Sequence, residues 1–417
     1  MGSWKDIFNR AVSLWSSRNR LLENIYSVDD EEVGQLVSTE AEYENNIQEL
    51  AKVSHAEECR SVIADALKGN ELRCTVACHI IIESHNSDLE SLLLERIQDK
   101  SSYTHRRMAA ALRVCTKDTI LRFGQKALEL NRLWIDEALS SLVAKNMLHE
   151  LLPFYITDNR LKHVSTDFVS MIGYLGAKSC LSQIRALMND SSNDIYTRLT
   201  CAQSLLMAGD DEGLQFYIEA LTNKLDDGTL AFTIAEFSSP RISLELLERE
   251  ANTHSAIESD LVSIVKALGL TGSINAIDKI KPYLSHHSEE VRATASLALT
   301  EITGEWDIDE YSDAGELTSF WNDWLNINLA NFDPKVRYTK GEVFCLMTKA
   351  ENMLDSDQES RSIFHDDLIV YSGLHLPYDS KSYFIIQQQH VEEWKSAIIN
   401  GTPITTGLWL RNGKKAE

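Results

Sequence analysis

The sequence predicts an all-α protein: an α-α superhelix, or solenoid, of stacked helical hairpins with a small, mostly helical C-terminal module. Three observations predict it. An apolar helical pattern returns every 29 to 34 residues, signals for helix starts recur at a matching interval, and turn-forming residues are scarce. Gly and Pro together number only 24 in 417 residues, and three of the six prolines follow residue 330, so the first 330 residues cannot supply the turns of an all-β architecture. An apolar fraction of 43% provides ample core and excludes chain-wide disorder.

Residues 1–54 read as N-terminal capping helices. Trp4, Phe8, Val12 and Trp15 fall along one side of an amphipathic helix over residues 3–20, a stripe suited to sealing the end of a stack. Lys5, Asp6, Arg10 and Arg18 do not form the basic face of a membrane-surface helix. An acidic, solvated stretch from Asp29 to Glu49 leads into the repeats.

Residues 55–305 read as about eight hairpins. The best-marked second helix is Val291-Arg292-Ala293-Thr294-Ala295-Ser296-Leu297-Ala298-Leu299, preceded by Leu268-Gly269-Leu270-Thr271-Gly272 and a helical stretch from Ala276 to Leu284. Thr197 to Leu205, preceded by Gly173-Tyr174-Leu175-Gly176, is a near copy. Arg73 with Val76, Ala77 and Ile80, and Arg107 with Ala110, Ala111 and Val114, repeat the spacing. Weaker copies centre on Asp136, Thr166, Leu230 and Ser259, so the centres fall at 73, 107, 136, 166, 198, 230, 259 and 292. Each unit carries apolar residues on two faces, which a lone hairpin cannot bury, so neighbours must stack. Capping boxes are expected at Ser54-x-x-Glu57, Ser87-x-x-Glu90 and Ser255-x-x-Glu258, and Ser239-Pro240 offers a cap with proline at the first helical position.

Residues 306–330 read as an acidic connector and capping helix, with a charge of −6, no basic residue, and Phe320, Trp321 and Trp324 in the helix. The alternating acids of Glu305 to Asp313 fail as a calcium loop, because its sixth position is Ser312 and its twelfth Thr318. A charged loop entering a helix is expected instead. Residues 331–417 read as a C-terminal helical module: Val336-Arg337-Tyr338-x-x-Gly341, a helix near 343–354, a second ending at Tyr371-Ser372-Gly373, the turn Leu376-Pro377-Tyr378-Asp379, a third through Gln389 and Trp394, and an extended close at Gly407-Leu408-Trp409-Leu410.

The Gly-x-x-Gly turn, the helix after it and the Val-Arg-x-x-Ala-x-x-x-Leu second helix resemble HEAT-like repeats of the short type found in bilin-lyase-related proteins, over roughly residues 55–305. The tail, with its Arg-Tyr-x-x-Gly entry, Gly-x-x-x-Pro-aromatic-Asp turn, Gln…Trp helix and Gly-x-Trp close, resembles that of an uncharacterised family of bacterial HEAT-repeat proteins. This resemblance implies an accessory or protective protein of secretion and interbacterial competition loci. The repeat resemblance is specific for architecture and says nothing of chemistry, and the tail resemblance carries over no agreed activity.

Candidate chemistry is thin. Cys74, Cys78 and His79 come nearest to a zinc set, but no second cysteine pair exists, and a buried structural role is expected. His286-His287 reads as solvated turn histidines whose side chains point apart. His365-Asp366-Asp367, with His375 and His390, lacks the second acidic cluster of a metal hydrolase. No Gly-rich phosphate loop, nucleophile elbow or His-Glu-x-x-His run occurs. No catalytic, metal or cofactor-binding residue is therefore assigned, and no cofactor is expected.

The seven cysteines fit reduced, buried thiols. The first twenty residues hold no uninterrupted apolar run, and no charge-free stretch of 18 residues occurs, so a soluble, cytoplasmic protein with no membrane contact is expected. A net charge of −23 repels phosphate backbones and favours a basic protein partner. Charge reverses locally at residues 104–132, where Arg106, Arg107, Arg113, Lys117, Arg122, Lys126 and Arg132 meet only Asp118 and Glu129. Pairing of these cations with acids of neighbouring repeats is the preferred reading, ahead of an acidic peptide or nucleic acid. The leading expectation is a non-enzymatic protein-binding scaffold, most concretely an immunity or adaptor protein that occludes a basic effector or toxin, with Arg106, Arg107, Arg113, Arg198 and Arg292 as candidate partner-binding residues. The rivals are a lyase-like or small-molecule-binding enzyme and a nucleic-acid binder using the strip at 104–132.

Overall fold

Many helix starts in this chain are set by side chains that accept otherwise unpaired first-turn amides. Ser3 Oγ accepts from Asp6 N at 3.3 Å, and the Asp6 carboxylate accepts from Ser3 N at 3.0 Å, closing a capping box on the helix Trp4–Asn24. Asn70, Thr116, Ser165, Asp194 and Ser288 cap the helices Glu71–Ser84, Lys117–Glu129, Thr166–Leu175, Ile195–Met207 and Glu289–Thr303. Two boxes expected from the sequence are not used. Glu57–Ala66 follows Ala56 without a side-chain cap while Ser54 donates back to Ala51 O at 2.8 Å, and Ser87–Ile97 is capped by Asn86. An acceptor one residue upstream displaces Ser87 from the cap position, and Glu90 pairs instead with Arg122 and Lys126. Ser255 of the third box lies outside the described residues, whereas Pro240 does open the helix Pro240–Thr253.

A computed structural model describes residues 3–28, 31–156, 165–225, 230–253, 257–309, 312–401 and 406–416. Asp29, Glu310 and Tyr311, part of the acidic stretches read from the sequence, fall outside them. Among the described residues are 22 α-helices and two short antiparallel strand pairs, Tyr338–Thr339 with Glu342–Val343 and Leu410–Arg411 with Lys414–Lys415. The chain is all-α and built of repeated helix pairs. All eight repeat centres land within the first four residues of a second helix: Glu71–Ser84, Thr104–Leu112, Leu133–Lys145, Thr166–Leu175, Ile195–Met207, Leu230–Phe237, Glu258–Leu270 and Glu289–Thr303.

One compact unit comprises residues 1–177, 350–366 and 375–395, and another residues 178–349, 367–374 and 396–417. In the first, the helices Glu31–Val53, Glu71–Ser84, Thr104–Leu112, Leu133–Lys145 and Thr166–Leu175 lie side by side in chain order. Every residue from Cys74 to Ile82 is buried, as expected of a helix packed on all sides by neighbours. The opening helix buries Phe8, Ala11, Trp15, Arg18 and Leu22, while Trp4 and Val12 are half-buried. Arg18, which the sequence places among the polar residues of this helix, is buried because Glu40 accepts from its Nε at 3.0 Å and the Lys381 and Ser382 carbonyls accept from Nη2 at 2.8 and 2.5 Å. In the second unit, Leu230–Phe237, Glu258–Leu270 and Glu289–Thr303 are adjacent, and Ala314–Asn328 closes the last hairpin with Trp321 wholly buried. Asp313 caps that final helix, accepting from Gly315 N at 2.7 Å and Glu316 N at 3.0 Å.

The motifs of the tail are packing devices. In the second unit, Tyr338 N donates to Gly272 O at 2.8 Å, Gly407 O accepts from Arg337 N at 2.7 Å, and Trp409 Nε1 donates to Thr271 O at 2.7 Å. Gly272 has φ +62°, and a Cβ there would stand 2.2 Å from Tyr338 O, so this repeat turn admits no side chain under the strand. In the first unit, Asp379 accepts from Arg113 Nη1 at 2.9 and 3.0 Å, and Tyr378 N donates to Lys145 O at 2.9 Å. Gln387 Nε2 donates to Ser380 O and Ser382 O, and Trp394 is wholly buried.

Candidate functional site

The five candidate arginines are largely engaged within the fold. Arg198 Nε donates to Met188 O at 2.8 Å with its guanidinium 4.8 Å from the Phe216 ring, and Arg292 Nη1 donates to His286 O at 2.9 Å and His287 O at 3.1 Å. These two reach from a second helix to carbonyls at the end of the first, whereas Arg73, at the same point of its repeat, donates to Asn9 Oδ1 at 3.1 Å. Arg107 pairs with Glu71, Arg113 with Asp379, Lys117 with Glu150, and Arg122 and Lys126 with Glu90. Arg106 alone of the five is exposed; it stacks over Tyr103 at 5.5 Å and makes no ion pair among the described residues.

Arg106 lines two adjoining hollows of the first unit. One, of about 370 Å³, has Trp15, Arg18, Glu23, Glu71, Arg113 and Lys381 in its wall; the other, of about 540 Å³, has Lys100, Tyr103, Trp134, Glu137 and Asp167. Their charges are mixed. The second unit presents a cleft of different character, about 620 Å³, lined by Glu258, His287, Ser288, Glu289, Glu290, Ala293, Thr294 and Leu297. Glu258 accepts from Ser288 Oγ, whereas Glu289 and Glu290 make no ion pair among the described residues. All three acids stand in the first turn of a helix, where the positive end of the helix dipole stabilises them. Leu297, 43% exposed, is an apolar patch beside them.

His287 lines this cleft, with His286 next to it in the chain. Their rings do not point apart as the sequence suggests but lie 4.1 Å centre to centre, because they sit in an extended turn rather than on a helix. Burial and the neighbouring His287 hold the His286 pKa below its ordinary value.

His365, Asp366 and Asp367 are separately employed. His365 is wholly buried with Nε2 2.9 Å from Leu376 O; Asp366 accepts from Tyr174 OH and pairs with Lys145 at 3.0 Å; Asp367 pairs with Lys349 at 2.7 Å. Burial raises the Tyr174 pKa, and the Asp366 carboxylate adds to the effect. Burial, with Lys145 nearby, drives the His365 pKa well below 6.5, and burial lowers that of His390. The unfolded chain therefore takes up protons that the folded one refuses at these two histidines, so their contribution to stability is complete above pH 6.5 and is lost as the pH drops below it. Each histidine contributes a slope of at most about 1.4 kcal/mol per pH unit. Urea midpoints measured between pH 7.5 and 5 should fall less steeply for His365→Gln than for the parent; equal slopes would refute the assignment.

Among the described residues, one group of three metal-ligating side chains converges: His79, Glu83 and Cys115, with one ligand atom from each within 4.8 Å of the others. It shares His79 with the set weighed from the sequence but not Cys74 or Cys78. Cys74 Sγ lies 3.6 Å from Leu67 O, and burial holds the Cys78 thiol well above its usual pKa. The sequence signal for the observed trio was the four-residue step from His79 to Glu83, with Cys115 about one repeat further on. All seven cysteines are free and six are buried, Cys345 being half-exposed. No helix among the described residues is long and apolar enough to cross a membrane. In comparison with known proteins, the chain matches no family model, and no curated protein matches it.

Proposed function

We propose that this chain is a protein-binding scaffold whose second unit engages a basic segment of a partner protein. The observation that carries the reading is the cleft bearing Glu258, Glu289 and Glu290 around the exposed Leu297, with no lysine or arginine in its lining. Such a surface steers a cationic segment in and offers one apolar seat for an anchor. The whole-chain charge of −23 acts in the same direction. The narrower reading, a HEAT-like bacterial immunity or adaptor protein that occludes a basic effector, rests on this acidity and on the sequence resemblance of the repeats and tail.

The test is affinity capture from the source cells with the parent and with Glu258→Lys/Glu289→Lys/Glu290→Lys. A basic protein should be enriched by the parent, released as salt rises, and lost in the triple variant while helical circular dichroism is unchanged. Equal retention by both proteins would remove the cleft from the mechanism, and absence of any salt-sensitive basic partner would sink the reading.

A further inference from the structure

We propose that His79, Glu83 and Cys115 bind a zinc-class dication, at a site separate from the acidic cleft. The elements that deliver them are neighbours in the repeat stack. His79 and Glu83 lie four residues apart on the helix Glu71–Ser84 and so share a face, and Cys115 comes from the turn after the adjacent helix Thr104–Leu112. The three ligand atoms already lie within 4.8 Å of one another.

The imidazole supplies a second, independent observation. His79 is wholly buried; its Nδ1 lies 3.0 Å from the Tyr43 hydroxyl, and its Nε2 is buried without a hydrogen-bond partner. A ligating histidine typically has its other nitrogen held by an outer partner that fixes the ring, and Tyr43, itself wholly buried, occupies that place. Leaving a buried ring nitrogen unpaired is costly, and a metal ion would satisfy it.

The donor set selects the class of ion. One nitrogen, one sulfur and one carboxylate suit zinc and its borderline neighbours, whereas magnesium and calcium require oxygen donors. Bond lengths of about 2.0–2.3 Å place tetrahedral ligands about 3.3–3.8 Å apart, so the trio has to tighten by at most about 1.5 Å. Glu83 is only half-buried, which lets its side chain make that move and leaves a fourth position reachable by water. Gln48 Nε2 donates to Glu44 Oε1 at 2.9 Å and to Glu83 Oε2 at 3.4 Å, so a second carboxylate stands next to the trio and adds to the negative charge a dication needs.

The full chain, stripped with a chelator and reloaded, should retain one zinc ion per molecule through gel filtration. With cobalt(II) it should show a thiolate-to-metal charge-transfer band. Cys115→Ser should abolish the band, Tyr43→Phe should weaken zinc binding about 10- to 100-fold, and Cys74→Ser and Cys78→Ser should change neither. Because Cys115 is buried, Glu83→Gln carries the test if Cys115→Ser does not fold: it should keep parental helicity, lose stoichiometric zinc and lose the zinc-dependent rise in melting temperature seen in the parent. Zinc retained equally by Glu83→Gln, or a cobalt complex lacking the thiolate band, would overturn the proposal.

Discussion

Arg337→Ala should lower the free energy of unfolding by about 3–5 kcal/mol, the cost of stranding one member of a buried ion pair. The guanidinium is 2% exposed and donates from Nη2 to Glu236 Oε2 at 2.5 Å and from Nη1 to Glu236 O at 3.2 Å, lying 4.4 Å from the Phe344 ring. Burial alone would raise the Glu236 pKa, but Lys349 and Arg337 outweigh it and hold the carboxyl below its usual range. Lys349 in turn is raised, since Asp367 and Glu236 overcome the effect of its own burial. Removing Arg337 leaves Glu236 in the interior with Lys349 at 4.0 Å and the Tyr371 hydroxyl. The urea midpoint of the transition should fall with little change in slope. Arg337→Met combined with Glu236→Gln should cost less than the sum of the two single changes, since neither then leaves a charge behind. A loss below about 1 kcal/mol for Arg337→Ala would mean that the network does not anchor the tail.

Trp321→Ala should also cost about 3–5 kcal/mol, through lost apolar burial and the cavity left behind. Its indole is wholly buried in the helix that closes the second unit, its Nε1 donates to Ser296 Oγ at 3.0 Å, and Phe320 and Trp324 meet its rings edge-on. Trp306, only fifteen positions earlier, is 60% exposed, and Trp306→Ala should stay within about 0.5 kcal/mol of the parent. Denaturant curves on both variants check the pair, and a similar cost for the two would contradict the packing described for the closing helix.

The candidate surfaces were only partly legible in the sequence. Glu258 was noticed as part of an expected capping box, yet its place beside Glu289 and Glu290 follows from stacking two second helices whose acids belong to successive repeats. The arginines of the repeat were read as candidate contacts for a partner. In the fold, Arg198 and Arg292 hold the preceding carbonyls of their own hairpins, a role that depends on the hairpin's closure and not on the sequence spacing alone. His79 was singled out beside Cys74 and Cys78 because those residues are adjacent in the chain, whereas the side chain that approaches it with Glu83 is Cys115 of the next repeat.

By itself, the sequence determined the helical class and the positions of eight second helices, because a helix face and its repeat are written in spacings of three, four and about thirty-one residues. Tertiary structure alone decided which charges go inside and with whom. Arg18 finds Glu40 and the carbonyls near residue 381, and Arg337 finds Glu236 across 101 positions. Residues 331–417 likewise contribute to both compact units, although the order of their helices was readable beforehand. The reason is physical: periodic burial is a near-neighbour property of the chain, while an ion pair or a metal-ligating trio depends on where distant segments are brought together.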